Sequence, residues 1–87
     1  MTNHIIVAAH SQCGHCTSFK RRIVKHEREN QETEFTVLDC DRGVTNPENQ
    51  VYCETSNGYP TMFKGSDGSQ CYVGDGDIQM VIAHCSQ

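Results

Sequence analysis

Two cysteines separated by two residues, Cys13-Gly14-His15-Cys16, are the part of this 87-residue chain best suited to chemistry. Disulfide exchange requires a thiolate, and an ordinary cysteine with a pKa near about 8.5 is mostly protonated at neutral pH. An apolar run precedes the motif and a helical pattern follows it, which places the first cysteine at a helix N-terminus, where cysteine pKa values fall to roughly 3.5–7.5. We therefore predict Cys13 as the attacking thiolate and Cys16, one helical turn further on, as the resolving thiol.

The two residues inside the motif are predicted to tune this pair. His15 can place a positive charge near Cys13, which stabilises the thiolate and makes the pair more oxidising. Gly14 leaves room for the backbone of a docked substrate.

A different class of function is a small zinc-binding or structural module, because half of many zinc sites also reads Cys-x-x-Cys. Such a module would use Cys13, Cys16 and two of the remaining cysteines or histidines. The chain has no second Cys-x-x-Cys and no His-x₃-His, so we favour redox chemistry and predict no metal. A redox-inert interaction domain is a third alternative.

The elements that would position the motif follow from hydrophobic periodicity. The run from Ile5 to Ala9 predicts a strand buried on both faces, and Cys16, Phe19, Ile23 and Val24 predict the inner stripe of a helix. The other predicted elements are a strand ending near Asp39-Cys40, a helix from Asn46-Pro47 to Gly58, a hairpin of 61–64 and 70–73 around Asp67-Gly68, and a helix over Ile78, Val81, Ile82 and Cys85 capped by Asp77. This order, β-α-β-α-β-β-α, predicts one α/β domain over residues 1–87, with a mixed four-stranded sheet flanked by helices.

The composition of the chain excludes some classes of binding partner. A net charge of −4 argues against nucleic acid, and no segment has the 18 or so apolar residues of a membrane span. The first residues lack a secretory leader, so we expect the cytoplasm, a reducing compartment. Five of the seven basic residues lie close together, which predicts a solvated helix face or a surface that steers an acidic partner: Lys20, Arg21, Arg22, Lys25 and Arg28.

Two motifs together resemble the thioredoxin superfamily. Cys13-Gly14-His15-Cys16 is identical to the active-site tetrad of protein disulfide isomerase domains, and Gly58-Tyr59-Pro60-Thr61 is similar to the cis-proline loop of the family. The resemblance implies a thioredoxin-like fold, a cis bond before Pro60, and substrate positioning by Tyr59, Pro60 and Thr61.

The short chain length is similar to that of small glutaredoxins of the phage or viral kind. Gly74-Asp75-Gly76-Asp77 resembles the turn with which glutaredoxins hold glutathione, although a plain turn with a helix cap fits it as well. This resemblance implies a monomer that exchanges disulfides with protein or glutathione substrates and requires no cofactor. Glutathione or a reductase would be its reductant, ribonucleotide reductase is a candidate substrate, and the host cytoplasm would be its location if it is viral.

The chain also departs from the family pattern. Isomerase and thioredoxin domains usually have tryptophan where this chain has Gln12, and a buried acid where it has Val7, so proton transfer at Cys16 needs water or another group.

The remaining cysteines and histidines carry weaker predictions. Some isomerase domains have a non-catalytic cysteine pair in the region of Cys40 and Cys53. A disulfide between these two residues is therefore one alternative, and two separate thiols are the alternative favoured in a reducing cytosol. Cys71 and Cys85 are predicted to be small buried hydrophobes. The histidines outside the motif are predicted to be surface or strand-edge residues without a ligand role: His4, His10, His26 and His84.

Overall fold

A computed structural model of the chain describes residues 3–30, 32–44, 46–56 and 58–86. The predicted order β-α-β-α-β-β-α is confirmed, with one additional 3₁₀ turn. The elements are β1 (Asn3–Ala9), α1 (Gly14–Glu29), β2 (Thr33–Asp39), the 3₁₀ turn (Cys40–Arg42), α2 (Pro47–Glu54), β3 (Thr61–Lys64), β4 (Gln70–Val73) and α3 (Ile78–Cys85). Of the helices described, none is both long and apolar enough to cross a bilayer.

The described strands form one mixed sheet in the order β2-β1-β3-β4. β1 pairs in parallel with β2, with Val7 opposite Val37, and antiparallel with β3, with Val7 opposite Met62. β3 and β4 form the predicted antiparallel hairpin. Since α1 connects the two parallel strands, the carboxyl ends of β1 and β2 lie at the same edge as the first turn of α1. The Cys-x-x-Cys motif and the 3₁₀ turn therefore meet at this edge.

The central strand β1 is buried on both faces, as predicted. Alternate residues point to opposite sides of the sheet, so Ile5 and Val7 join one core cluster while Ile6 and Ala8 join the other. The larger cluster is completed by residues from α1, β2, β3 and α3: Phe19, Ile23, Phe35, Met62, Val81 and Cys85. Both clusters fix β1, and with it the segment that leads into Cys13.

The buried stripe of α1 differs from the predicted one at its fourth position. Cys16, Phe19 and Ile23 are buried, but Val24 is 52% exposed and His26 takes the inner place instead. The predictions for Val24 and for His26 as a surface residue are therefore wrong. The rings of His26 and Phe35 are nearly perpendicular, with 6.2 Å between their centroids, and the Nε2 of His26 is buried without a hydrogen-bond partner among the residues that the structure describes.

Local capping explains where the later helices begin. Asn46 accepts a hydrogen bond from the backbone N–H of Glu48 at 3.0 Å, and Asp77 accepts one from Gln79 at 2.8 Å, as predicted for both caps. α2 ends at Glu54 rather than near Gly58, and its C-cap residue Thr55 bonds to the carbonyl of Val51 through both its backbone N–H and its hydroxyl.

Candidate active site

Cys13 is the N-cap residue of α1, the position at which a side chain faces the unpaired N–H groups of the first turn. Its Sγ accepts a hydrogen bond from the backbone N–H of Cys16 at 3.2 Å and lies 3.6 Å from the carbonyl oxygen of Tyr59. Cys13 is a free, half-buried cysteine. A sulfur in this position is both reachable from solvent and close to a helix N-terminus, which favours a negative charge.

Cys16 is also free, but its environment differs from that of Cys13. The residue is 1% exposed, and burial, followed by its hydrogen bond with Cys13, raises its pKa to about 11. The backbone of His10 and the charge of Lys20 oppose this increase without cancelling it. Cys16 is therefore a thiol at neutral pH and must lose its proton before it can attack a disulfide.

His15 extends from the first turn of α1 toward the loop between β4 and α3. Its side chain is 77% exposed, and its Nδ1 lies 3.6 Å from Oδ2 of Asp75, which is only 15% exposed. Arg22, two turns along α1, donates to the other carboxylate oxygen of Asp75 at 2.5 Å and to the carbonyl of Gly76 at 3.0 Å. Asp75 thus lies between the His15 imidazole and the Arg22 guanidinium, both on α1.

The Tyr59–Pro60 peptide bond is cis, as the resemblance implied. The carbonyl of Tyr59 faces the Cys13 sulfur, and the carbonyl of Pro60 accepts a hydrogen bond from Gly74 at 2.8 Å. The hydroxyl of Thr61 donates to the carbonyl of Gly58, and Thr61 is fully buried. Tyr59 and Pro60 are therefore brought to the cysteine motif, whereas the Thr61 side chain supports the loop from below.

Gly14 lies at the open side of this arrangement. A Cβ added to Gly14 would have no atom within 4 Å, so the space above the motif is free in the direction of solvent.

Three residues hold the loop before Cys13, and sequence spacing gave no signal for this role: His10, Ser11 and Asp41. Asp41, in the 3₁₀ turn, accepts a hydrogen bond from the backbone N–H of Ser11 at 2.9 Å and a short one from its hydroxyl. These bonds lower the pKa of Asp41 to about 2. The carbonyl of His10 accepts from the Cys13 N–H at 3.1 Å, and its ring lies 5.7 Å from that of Tyr59.

Four cysteines form two disulfides. Cys40 is bridged to Cys53, the alternative that the sequence left open and did not favour. Cys71 is bridged to Cys85, so the prediction of two separate buried thiols is wrong for this pair. The bridge joins β4 to α3, and Cys85 is 3% exposed within the larger core cluster.

The bridges also bear on the zinc alternative, because a bridged cysteine cannot supply a thiolate ligand. No group of three histidine, cysteine or acidic side chains among the residues described could hold a metal ion.

No protein-family model matches the chain, and no curated protein matches it. Its structure is similar to solved thioredoxins. Fasciola hepatica thioredoxin superposes with a TM-score of 0.70 at 18% identity, covering 95% of this chain and 81% of that one. The fold is thioredoxin-like. Mitochondrial thioredoxin 3 from Saccharomyces cerevisiae superposes with a TM-score of 0.67 at 20% identity, covering 94% of this chain and 76% of that one. Thioredoxin O1 from Arabidopsis thaliana superposes with a TM-score of 0.68 at 16% identity, covering 99% of this chain and 79% of that one.

These similarities confirm the predicted fold class, a mixed four-stranded sheet with three helices. At identities of 20% or less they concern the fold alone, and a fold accommodates many activities. Function must therefore be inferred from the cysteine site itself.

Proposed function

We propose that this protein is a thiol–disulfide oxidoreductase in which Cys13 attacks and Cys16 resolves. The supporting observation is the position of the Cys13 sulfur, which caps α1 at 3.2 Å from the Cys16 N–H and faces the carbonyl that precedes cis-Pro60. A sulfur at a helix N-terminus, partly open to solvent and followed one turn later by a second free thiol, is suited to disulfide exchange.

In the reductive direction, the Cys13 thiolate attacks one sulfur of a substrate disulfide. A Cys13–substrate bond forms, the substrate S–S bond breaks, and the leaving thiolate takes a proton from solvent. Cys16 then loses its proton and attacks the Cys13 sulfur, which releases the second substrate thiol and leaves a Cys13–Cys16 disulfide. Two electrons pass from the pair to the substrate, and the reverse sequence oxidises a dithiol substrate.

The second step requires Cys16 to lose its proton, which the burial of this thiol disfavours. Val7, which is buried in the core, cannot accept a proton where related domains have an acid. The proton must therefore go to water or to another group, and the charge of Lys20, which lowers the pKa of Cys16, aids its loss.

For the electron donor there are two candidates. Gly74 and Asp75 motivated glutathione, but the Asp75 carboxylate is already engaged by Arg22 and lies beside His15, so a glutathione amino group would have to compete with both. A reductase protein that docks at the cysteine motif needs no such displacement. Coupled assays with each reducing system separate them: turnover with glutathione alone would support the glutaredoxin-like alternative.

The direction of transfer is a separate part of the proposal. Two disulfides outside the motif, Cys40–Cys53 and Cys71–Cys85, favour a protein that works where disulfides persist and that oxidises or isomerises substrates. A cytoplasmic reductant, with ribonucleotide reductase as one substrate, is the alternative derived from the glutaredoxin resemblance.

A glutathione redox titration tests the central proposal. Cys13 and Cys16 are followed by differential alkylation and mass spectrometry, and the expected result is a reversible two-electron transition confined to this pair. Cys13→Ser should abolish exchange with a protein disulfide, while Cys16→Ser should accumulate a mixed disulfide on Cys13 and serves as the matched control. Full exchange activity in Cys13→Ser would refute the assignment.

A further inference from the structure

The loop between β4 and α3 holds a carboxylate at a fixed place next to the redox motif. Arg22 binds the Asp75 carboxylate at 2.5 Å and the following carbonyl, that of Gly76, at 3.0 Å. The preceding residue, Gly74, donates to the carbonyl of Pro60 at 2.8 Å. Asp75 is thus attached to α1 through its side chain and to the cis-proline loop through the adjacent backbone, and it is 15% exposed.

His15 is in the opposite situation. Its side chain is 77% exposed, and its Nδ1 lies 3.6 Å from the carboxylate of Asp75. An exposed histidine without a partner samples several rotamers, so its charge would spend little time at any one place near Cys13. A carboxylate that is itself immobile attracts the imidazolium to one orientation.

We propose, on the basis of the function proposed above, that Asp75, held by Arg22, is a positioning residue that fixes His15 beside the cysteine pair and thereby makes the pair more oxidising. His15 lies two residues from Cys13 in the same helical turn, so a localised imidazolium stabilises the Cys13 thiolate and with it the reduced form. Asp75 makes no contact with either cysteine in this role; it acts through His15.

The Asp75 carboxylate also has a direct effect of opposite sign, because its negative charge disfavours a nearby thiolate. Arg22 pairs with the same carboxylate at 2.5 Å, so both effects are those of an ion-paired carboxylate. The two effects can be separated because only the indirect one requires the imidazole of His15. A double-mutant cycle with His15→Gln isolates it.

The experiment measures the equilibrium constant of the Cys13–Cys16 pair with glutathione in four proteins: wild type, Asp75→Asn, His15→Gln and the double variant. Asp75→Asn should shift the wild-type equilibrium about two- to fivefold toward the Cys13–Cys16 disulfide, the size of effect measured for exposed ion pairs. In the His15→Gln background the same change should give no shift or a small one in the opposite direction. Glu48→Gln, which removes an exposed carboxylate from the first turn of α2, is the matched control and should shift neither.

An equal shift in both backgrounds, or no shift in either, would overturn the role of Asp75. A second measurement does not depend on the folding of the Asp75 variant: three-bond couplings of His15 in the wild-type protein. One dominant χ1 rotamer is expected, and rotamer averaging would overturn the proposal. If the wild-type pair shows no reversible transition at all, the proposed function fails as well, whereas a normal transition that is insensitive to Asp75 removes only this inference.

Discussion

Removing the Cys40–Cys53 bridge should destabilise the fold by an amount that chain entropy predicts. The perturbation is Cys40→Ser together with Cys53→Ser, made in a Cys13→Ser, Cys16→Ser background so that no free thiol can exchange during unfolding. The bridge spans 13 residues of sequence and connects the start of the 3₁₀ turn to α2. Both cysteines are half-buried, so serine can be accommodated at each position.

A loop of this length gives about 3 kcal/mol of stabilisation, because the closed loop restricts the unfolded chain. Domains of this size have a total free energy of unfolding of roughly 5–15 kcal/mol, so the loss is a large fraction of it. At roughly 4–8 °C per kcal/mol for 60–100 residues, the melting temperature should fall by about 12–24 °C.

The second bridge provides an internal comparison. Cys71–Cys85 spans 14 residues, so its chain-entropy contribution is nearly the same, but Cys85 is 3% exposed and packs in the larger core cluster. Cys71→Ala with Cys85→Ala should therefore cost about 1 kcal/mol more than the first pair, as for the loss of one buried methyl-sized group.

Urea unfolding followed by circular dichroism measures both losses, with intact-mass analysis to verify that the remaining bridge is closed. The m-value indicates whether the unfolded state has expanded as the entropy argument requires. If removing the Cys40–Cys53 bridge lowers the free energy of unfolding by less than about 1 kcal/mol, with the m-value of the bridged protein unchanged, the reasoning is refuted. The bridge would then not restrict the unfolded chain to the expected extent.

Three further predictions concern the site. Burial raises the pKa of Cys16 from 9.0 to about 11, so the reduced protein should lose stability as the pH rises from about 9 through 11, and Cys16→Ser should show no such loss in denaturant titrations at each pH. The hydrogen bonds from Ser11 lower the pKa of Asp41 from 3.8 to about 2. The contribution of Asp41 to folding stability is therefore present above pH 4 and lost as the pH falls through about 2. A Ser11→Ala variant whose acid unfolding is identical to that of the wild type would contradict this. The Cβ added by Gly14→Ala lies in open space, so stability should be unchanged or rise by up to about 1 kcal/mol. The variant should slow exchange with a protein disulfide but not with a small disulfide. The same variant-to-wild-type rate ratio for both substrates would show that no substrate backbone passes over Gly14.

Local patterns predicted most of the fold because their physical causes are local. The run Ile5–Ala9 is apolar at every position, as expected for a strand that is covered on both sides. Asn46 and Asp77 cap helices through bonds to the residue two further on, a contact that does not depend on the rest of the chain.

Val24 was misplaced for a geometrical reason. It lies eight residues after Cys16, which turns it about 80° to one side of Cys16 at 100° per residue. Phe19, Ile23 and His26 lie on the other side, so the centre of the buried stripe moves away from Val24. The hydrophobic pattern includes Val24 because it is apolar, although it lies at the margin, and omits His26, which lies nearer to the centre of the buried stripe.

The parts of the site that could not be predicted depend on distant residues. Asp41 is 30 residues from Ser11, and Asp75 is 53 residues from Arg22. Such contacts follow only from how the loops at one edge of the sheet meet. The cysteine pairing has the same origin: a disulfide requires two Cβ atoms within a few ångströms, and the stripe of α3 indicated that Cys85 is buried without indicating which residue faces it.

The two structural bridges, rather than the active pair, constrain where this protein can work. If each contributes about 3 kcal/mol, loss of both would remove a large fraction of the roughly 5–15 kcal/mol free energy of unfolding that is typical of native proteins. Bridges with reduction potentials below about −300 mV, the range in which structural disulfides resist glutathione, would stay closed in a glutathione-buffered cytoplasm. Incubation in a cytosol-like ratio of reduced to oxidised glutathione, followed by alkylation and mass mapping, decides this. Bridges that stay closed while Cys13 and Cys16 are reduced would be compatible with the predicted cytoplasmic location. Bridges that open would argue against that location and favour the oxidising or isomerising role proposed above.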